Sequence, residues 1–177
     1  MKKITLAVAA IFAIILTACS GSDGIDGVDG LDGVNITGSI YEVSGTFSDE
    51  NNYELTFEFP NTVEVFESDV VLVYILWEQL DGTDGQPIDV WRLMPQTRLL
   101  DQGTLIYNYD HTFVDARFFL DSDFDLSTLQ SADTDNQVFR VAILPAEAVN
   151  GKLDTGNIND VMGILDTKEE NIIHVSL

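Results

Sequence analysis

Tyr53-Glu54-Leu55-Thr56-Phe57-Glu58-Phe59 alternates apolar and polar side chains at every step. Successive residues of a strand point to opposite faces, so the pattern predicts a strand with Glu54, Thr56 and Glu58 on a wet side and the aromatic and aliphatic residues on a buried one. Residues 70–77 and 138–144 are instead nearly continuous apolar runs. Short runs of that kind, rich in β-branched residues, predict central strands covered on both faces.

Working outward, similar runs bring the expectation to about eight strands, at 36–47, 53–60, 70–79, 90–94, 104–109, 112–121, 137–144 and 172–177. Turn-forming stretches separate them at Asp49-Glu50-Asn51-Asn52, Asp81-Gly82-Thr83-Asp84-Gly85 and Asp101-Gln102-Gly103. Tyr109-Asp110-His111-Thr112 reads as a further tight turn. Pro87 and Pro95 fall near strand ends, where a missing N–H costs little. Many short strands with regular turns predict an all-β, β-sandwich-like fold. One short C-terminal helix is expected, capped by Asn157 or Asn159, with Ile158, Val161, Met162 and Leu165 on one face and Lys168 near its end. A shorter turn is expected at 126–130.

The N-terminus has a different composition. Lys2 and Lys3 precede an uncharged, mostly apolar stretch at 4–16, closed by Leu16-Thr17-Ala18-Cys19. A basic end followed by a short apolar core is the order of a secretory signal peptide, and the stretch is shorter than the roughly 20 residues of a membrane-spanning helix. Leu16-Thr17-Ala18-Cys19 resembles the lipobox of bacterial lipoproteins, in which the chain is cut before the Cys and the thiol carries a diacylglycerol. The resemblance implies that residues 1–18 are removed and that Cys19 is lipidated, giving stable membrane anchoring through two or more acyl chains. Cys19 is also the only cysteine, so the fold is expected to stand without a disulfide.

Residues 21–33 place glycine at every third position, with Asp23, Asp26, Asp29 and Asp32 completing the triplets. The spacing resembles the Gly-X-Y repeat of collagen-like bacterial proteins, where only glycine fits the triple-helix axis. Four triplets without proline are expected to act as a charge-stiffened tether of up to about 45 Å. A dinucleotide loop is excluded, because that fingerprint needs Gly-x-Gly-x-x-Gly between a strand and a helix. The expected organisation is residues 1–18 as signal peptide, 19–34 as lipidated Cys plus tether, and 35–177 as one β-rich domain.

The region after the triplets is similar to the C-terminal domain of small collagen-like lipoproteins of Gram-negative bacteria. The likeness rests on the stretches 63–74, 90–97 and 139–146. It implies a place in the cell envelope and brings no catalytic residues. Ser20 after the Cys, followed by acidic residues, resembles sorting to the outer membrane with exposure to the outside. The expected partners are the membrane, through the lipid, together with other envelope proteins or glycans.

The chain carries 30 acidic and 8 basic residues, for a formal net charge of −22. Loss of Lys2 and Lys3 makes it more negative still. Such a surface repels nucleic acid and attracts divalent cations.

Catalytic chemistry finds little in the sequence. There are two histidines, His111 and His174, and no Gly-x-Ser-x-Gly elbow, so the chain is expected not to be an enzyme. His174 lies in the last strand and is expected to face solvent. Two histidines and no free thiol exclude the common zinc sites. Ca²⁺ is the one cofactor the pattern allows. Asp121-Ser122-Asp123-Phe124-Asp125 starts like a calcium loop, and Asp133 and Asp135 follow it, but Leu126 and Ala132 stand where the EF-hand needs Gly and Glu. The competing reading makes Asp125 the cap of the turn at 126–130. Trp77 and Trp91 can stack on sugar rings, although each lies in an apolar run that suits core packing.

Overall fold

In the computed structural model, residues 38–177 are described apart from Asp84, Asn150 and Lys152. Cys19, the residues before it and the Gly-X-Asp triplets lie outside the described residues. The described strands are β1 (Ser39–Gly45), β2 (Glu54–Glu58), β3 (Val70–Asp81), β4 (Pro87–Leu93), β5 (Gln96–Leu100), β6 (Gly103–His111), β7 (Asp115–Ser122), β8 (Gln137–Leu144) and β9 (Ile173–Ser176). They form two sheets, ordered β4-β3-β8-β1-β9 and β2-β7-β6-β5. Neighbours are antiparallel except β1 and β9, which run parallel. The all-β sandwich expected from the alternation is the fold observed.

The core explains why β3 and β8 read as unbroken apolar runs. Between the sheets, Tyr41, Val43, Val71, Val73, Ile75, Phe139, Val141 and Ile143 face Leu55, Phe57, Leu105, Tyr107, Phe118 and Leu120. The residues in between, Ile40, Leu72, Tyr74, Ala142 and Leu144, form a second buried layer on the other face of the five-stranded sheet. Ala148, Ile158, Val161, Met162, Leu165 and Ile172 cover that face. The segment after β8 is therefore a third layer. Its helix, Ile158–Ile164, is capped by Asn157, whose side-chain oxygen accepts from Asn159 N. The four-stranded sheet keeps one wet side, as Tyr53–Phe59 predicted: Leu55 and Phe57 are buried while Glu54, Thr56 and Glu58 are exposed.

Three local differences have physical causes. β5 was not anticipated, because it alternates weakly and its Leu99 is 81% exposed. The turn expected at 109–112 lies at 112–114 instead. Tyr109 pairs with Phe118 and Asp110 with Arg117, and the Arg117 guanidinium binds the Asp110 carboxylate, so the hairpin stays closed through His111. The third is a bulge between Leu76 and Glu78 on β3. It is the position of Trp77, whose ring meets Tyr107 edge-on with centroids 6.3 Å apart.

Three phenols pin the layers. Tyr74 Oη donates to Thr155 O at 2.6 Å, Tyr107 Oη to Asp133 O at 2.9 Å, and Tyr109 Oη to Val71 O at 3.3 Å. Burial pushes all three pKa values up; Tyr107 reaches about 12, with Arg98 pulling down and Asp133 pushing up as smaller effects. A raised phenol stabilises the fold fully below the unfolded value of about 10 and loses that contribution as pH rises through the folded value. The domain is therefore expected to lose stability steeply between about pH 10 and 12. Denaturant titrations at each pH, read beside tyrosinate absorbance, check this: phenolate should appear together with unfolding. A flat stability profile across that window would contradict the burial of these phenols.

Candidate functional site

A groove of about 750 Å³ lies on the face of the five-stranded sheet that carries the third layer. One wall is edge strand β4, from Pro87 to Trp91; the other is Gly156, Asn157, Ile158 and Asn159, with Glu169 at its side. Sequence order explains the walls. Pro87 opens β4 at a sheet edge, where its missing N–H leaves no ladder bond unmade. The opposite wall is a turn in which Gly156 N donates to Asp154 Oδ1 at 3.0 Å and Asn157 Nδ2 donates to Asp160 Oδ1 at 3.1 Å. The Tyr74 bond to Thr155 O ties this turn to the sheet beneath.

Arg140 lies under the groove and holds its parts together. It is 3% exposed. Its Nη1 and Nη2 donate to the two Glu169 oxygens at 2.7 and 2.5 Å, and its Nε and Nη2 donate to Glu42 Oε2 at 3.1 Å. Its Cζ sits 4.1 Å from the Trp91 ring centroid, a cation–π distance. Glu42 also binds His174 Nδ1 at 2.9 Å. One buried cation thus fastens β1, β4, the third layer and β9. Glu42, Arg140 and Tyr74 lie in one row across the sheet.

The groove offers an indole, the Asn159 amide, an exposed Ile88 and carboxylates from Asp89 and Glu169. Asp89 Oδ1 accepts from Gln79 Nε2 at 2.8 Å. An aromatic surface beside amides and carboxylates, in an open cleft, is suited to an uncharged polyhydroxyl ligand rather than an anion.

Of the two tryptophans, only Trp91 lines this groove. Trp77 packs against the inter-sheet core, with Arg92 Cζ 4.4 Å and Arg98 Cζ 4.7 Å from its ring centroid. The two indoles are not brought together as one platform. The histidines are also apart. His111 ends β6, and His174 lies on β9, exposed and paired with Glu42.

The five aspartates do not converge either. Asp121 Oδ2 accepts from Asn108 Nδ2 at 3.3 Å, and Asp123 Oδ1 from Thr104 N at 2.7 Å. Asp125 caps the 3-10 turn Leu126–Thr128 through Ser127 N at 3.0 Å, and hydrogen bonding from the Ser127 side chain, followed by its backbone N–H, lowers the Asp125 pKa. Asp133 is 5% exposed and takes the Arg98 guanidinium at 2.7 Å. Asp135 Oδ1 accepts from Thr134 Oγ1 at 2.9 Å. Among the described residues, no group of three or more His, Cys, Asp or Glu side chains is placed to hold a metal ion.

Sequence reasoning did not mark Arg140 or Glu169, and it named Asn159 only as a helix-cap candidate, a place that Asn157 takes. Arg140 interrupts the apolar run of β8, and that break is the one signal that could have marked it. Among the described residues, no helix is long and apolar enough to cross a membrane. Comparison with protein-family models, with curated proteins and with solved structures finds no match to this chain.

Proposed function

We propose that the chain is a lipoprotein of the bacterial envelope, of the collagen-like kind, held at a membrane by acyl chains on Cys19. Its sandwich then has a non-enzymatic structural, adhesive or interaction role, at the outer membrane and facing outward. The observation that carries this reading is Leu16-Thr17-Ala18-Cys19 at the end of a short apolar run, using the only cysteine in the chain. The experiment is detergent-phase partitioning of the expressed protein with mass measurement of its N-terminal peptide. The native chain should enter the detergent phase and begin at an acylated Cys19, and Cys19→Ser should stay in the aqueous phase. Native protein in the aqueous phase with residues 1–18 still attached would refute the anchor.

A second reading is favoured by the groove beside Trp91: capture of a neutral glycan for an uptake system. Affinity electrophoresis in gels containing neutral polysaccharides tests it. Trp91→Ala should weaken any retention about tenfold, the equivalent of about 1.4 kcal/mol. Retention that survives Trp91→Ala would place the sugar elsewhere.

A further inference from the structure

One end of the sandwich is apolar on an otherwise acidic chain. Phe66, Phe113 and Val114 are 56%, 54% and 54% exposed. Phe66 and Phe113 line one shallow groove of about 190 Å³. Phe113 and Val114 line another of about 280 Å³. Phe113 belongs to both, so the three side chains make one continuous patch. The loops that carry them are held by hydrogen bonds. Thr112 N donates to Asp115 O at 2.9 Å, Thr112 Oγ1 to Asp115 Oδ1 at 2.6 Å, and Phe66 N to Asp69 Oδ2 at 3.0 Å. A contiguous apolar patch on ordered loops marks an interaction surface.

Strand register identifies this end. Ser39 pairs with Ile143, and Ile143 pairs with Val71. The start of β1 therefore lies in one row with the residues that follow the Phe66 loop, and the chain joins the sandwich at the end that bears the patch. Gly38 fits closely there, because a Cβ would stand 2.7 Å from Ile143 O. From Cys19 to Gly38 the chain can span at most about 65 Å, so an anchored domain stays within that distance of the membrane.

We propose that this end docks on the lipid surface itself, with Phe66, Phe113 and Val114 seated at headgroup level. The proposal rests on the anchoring reading. An anchored domain meets its own membrane at an effective concentration of about millimolar, so a patch too weak to bind from solution is still occupied. The surrounding chemistry selects a net-neutral surface. Glu67 and Asp69 line one groove and Glu58 and Asp115 the other, and anionic headgroups repel them within a Debye length.

The test uses the full acylated chain in phosphatidylcholine vesicles. Acylation occupies the only native thiol, so Val114→Cys offers a single site for an environment-sensitive fluorophore. Ala132→Cys is the control at the opposite end, because Ser131–Thr134 meets the residues beyond β1 where Phe47 N donates to Thr134 O at 3.0 Å. The probe at 114 should shift to the blue and be quenched severalfold more by brominated lipid than the probe at 132. Phe66→Ser with Phe113→Ser should erase that difference while flotation with vesicles persists. Equal quenching at both positions in protein that floats overturns the docking and leaves the anchor standing. A blue shift without lipid quenching makes a second copy the occupant and overturns it as well. Protein that fails to float overturns the anchoring reading, and the docking with it.

Discussion

Phe139→Ala is expected to destabilise the domain by about 3–5 kcal/mol and to lower its melting temperature by roughly 10–15 °C. Phe139 is fully buried and central to the inter-sheet core. Its ring stacks on Phe118 with centroids 4.6 Å apart and meets Phe47 edge-on at 6.1 Å. Removing it deletes apolar contact with both sheets and leaves a cavity walled by β-sheet backbone, which collapses poorly. Phe139→Leu keeps most of the volume and should cost less than half as much. Thermal and denaturant unfolding of the two variants provide the check. A loss below about 1 kcal/mol for the alanine variant would mean that the two sheets do not meet through this pair.

Arg140→Ala is the second large effect, expected at about 3 kcal/mol. The guanidinium balances Glu42, whose side chain is 19% exposed, and Glu169, whose side chain is 64% exposed. Glu169 can turn to water when the cation is lost, which reduces the penalty; Glu42 cannot do so freely. The loss should also be local. Hydrogen exchange should quicken in residues 145–172 and in β9, while β2, β6 and β7 keep their protection. Arg140→Lys should rescue little, because one ammonium cannot bind two carboxylates in a fork and stack on Trp91. Uniformly faster exchange across both sheets would show that Arg140 supports the whole sandwich rather than its third layer.

The legibility of this fold in its sequence follows the range of the forces. Period-two alternation is a local signal, and Tyr53–Phe59 displayed it because β2 has one wet face. The runs at 70–77 and 138–144 announced central strands because both of their faces are covered. What covers the second face could not be read. Ala148, Ile158, Val161, Met162, Leu165 and Ile172 are scattered through turns, and only the helical part has a period. Arg140 looked like a break in an apolar run because Glu42 lies 98 residues away in sequence and Glu169 lies 29 away. Trp91, named as either a stacking or a core residue, packs against the second buried layer and also lines a groove. Trp77 was named with it, and for Trp77 the core-packing alternative is the one the fold shows, because alternation along β3 puts it on the inward face of Val71, Val73 and Ile75. The alternating aspartates at 121, 123 and 125 drew attention by spacing alone. In the fold each serves a neighbouring backbone or amide group.

The parallel pairing of β9 with β1 sets the direction in which the polypeptide departs. Ser176 lies beside Ser44, and Leu177 N donates to Ser44 O at 2.9 Å. Leu177 therefore lies at the pole opposite Gly38, about 20 Å along the strand axis. A peptide or reporter fused after Leu177 would start at the pole opposite Gly38, so the two ends of the sandwich can be addressed separately.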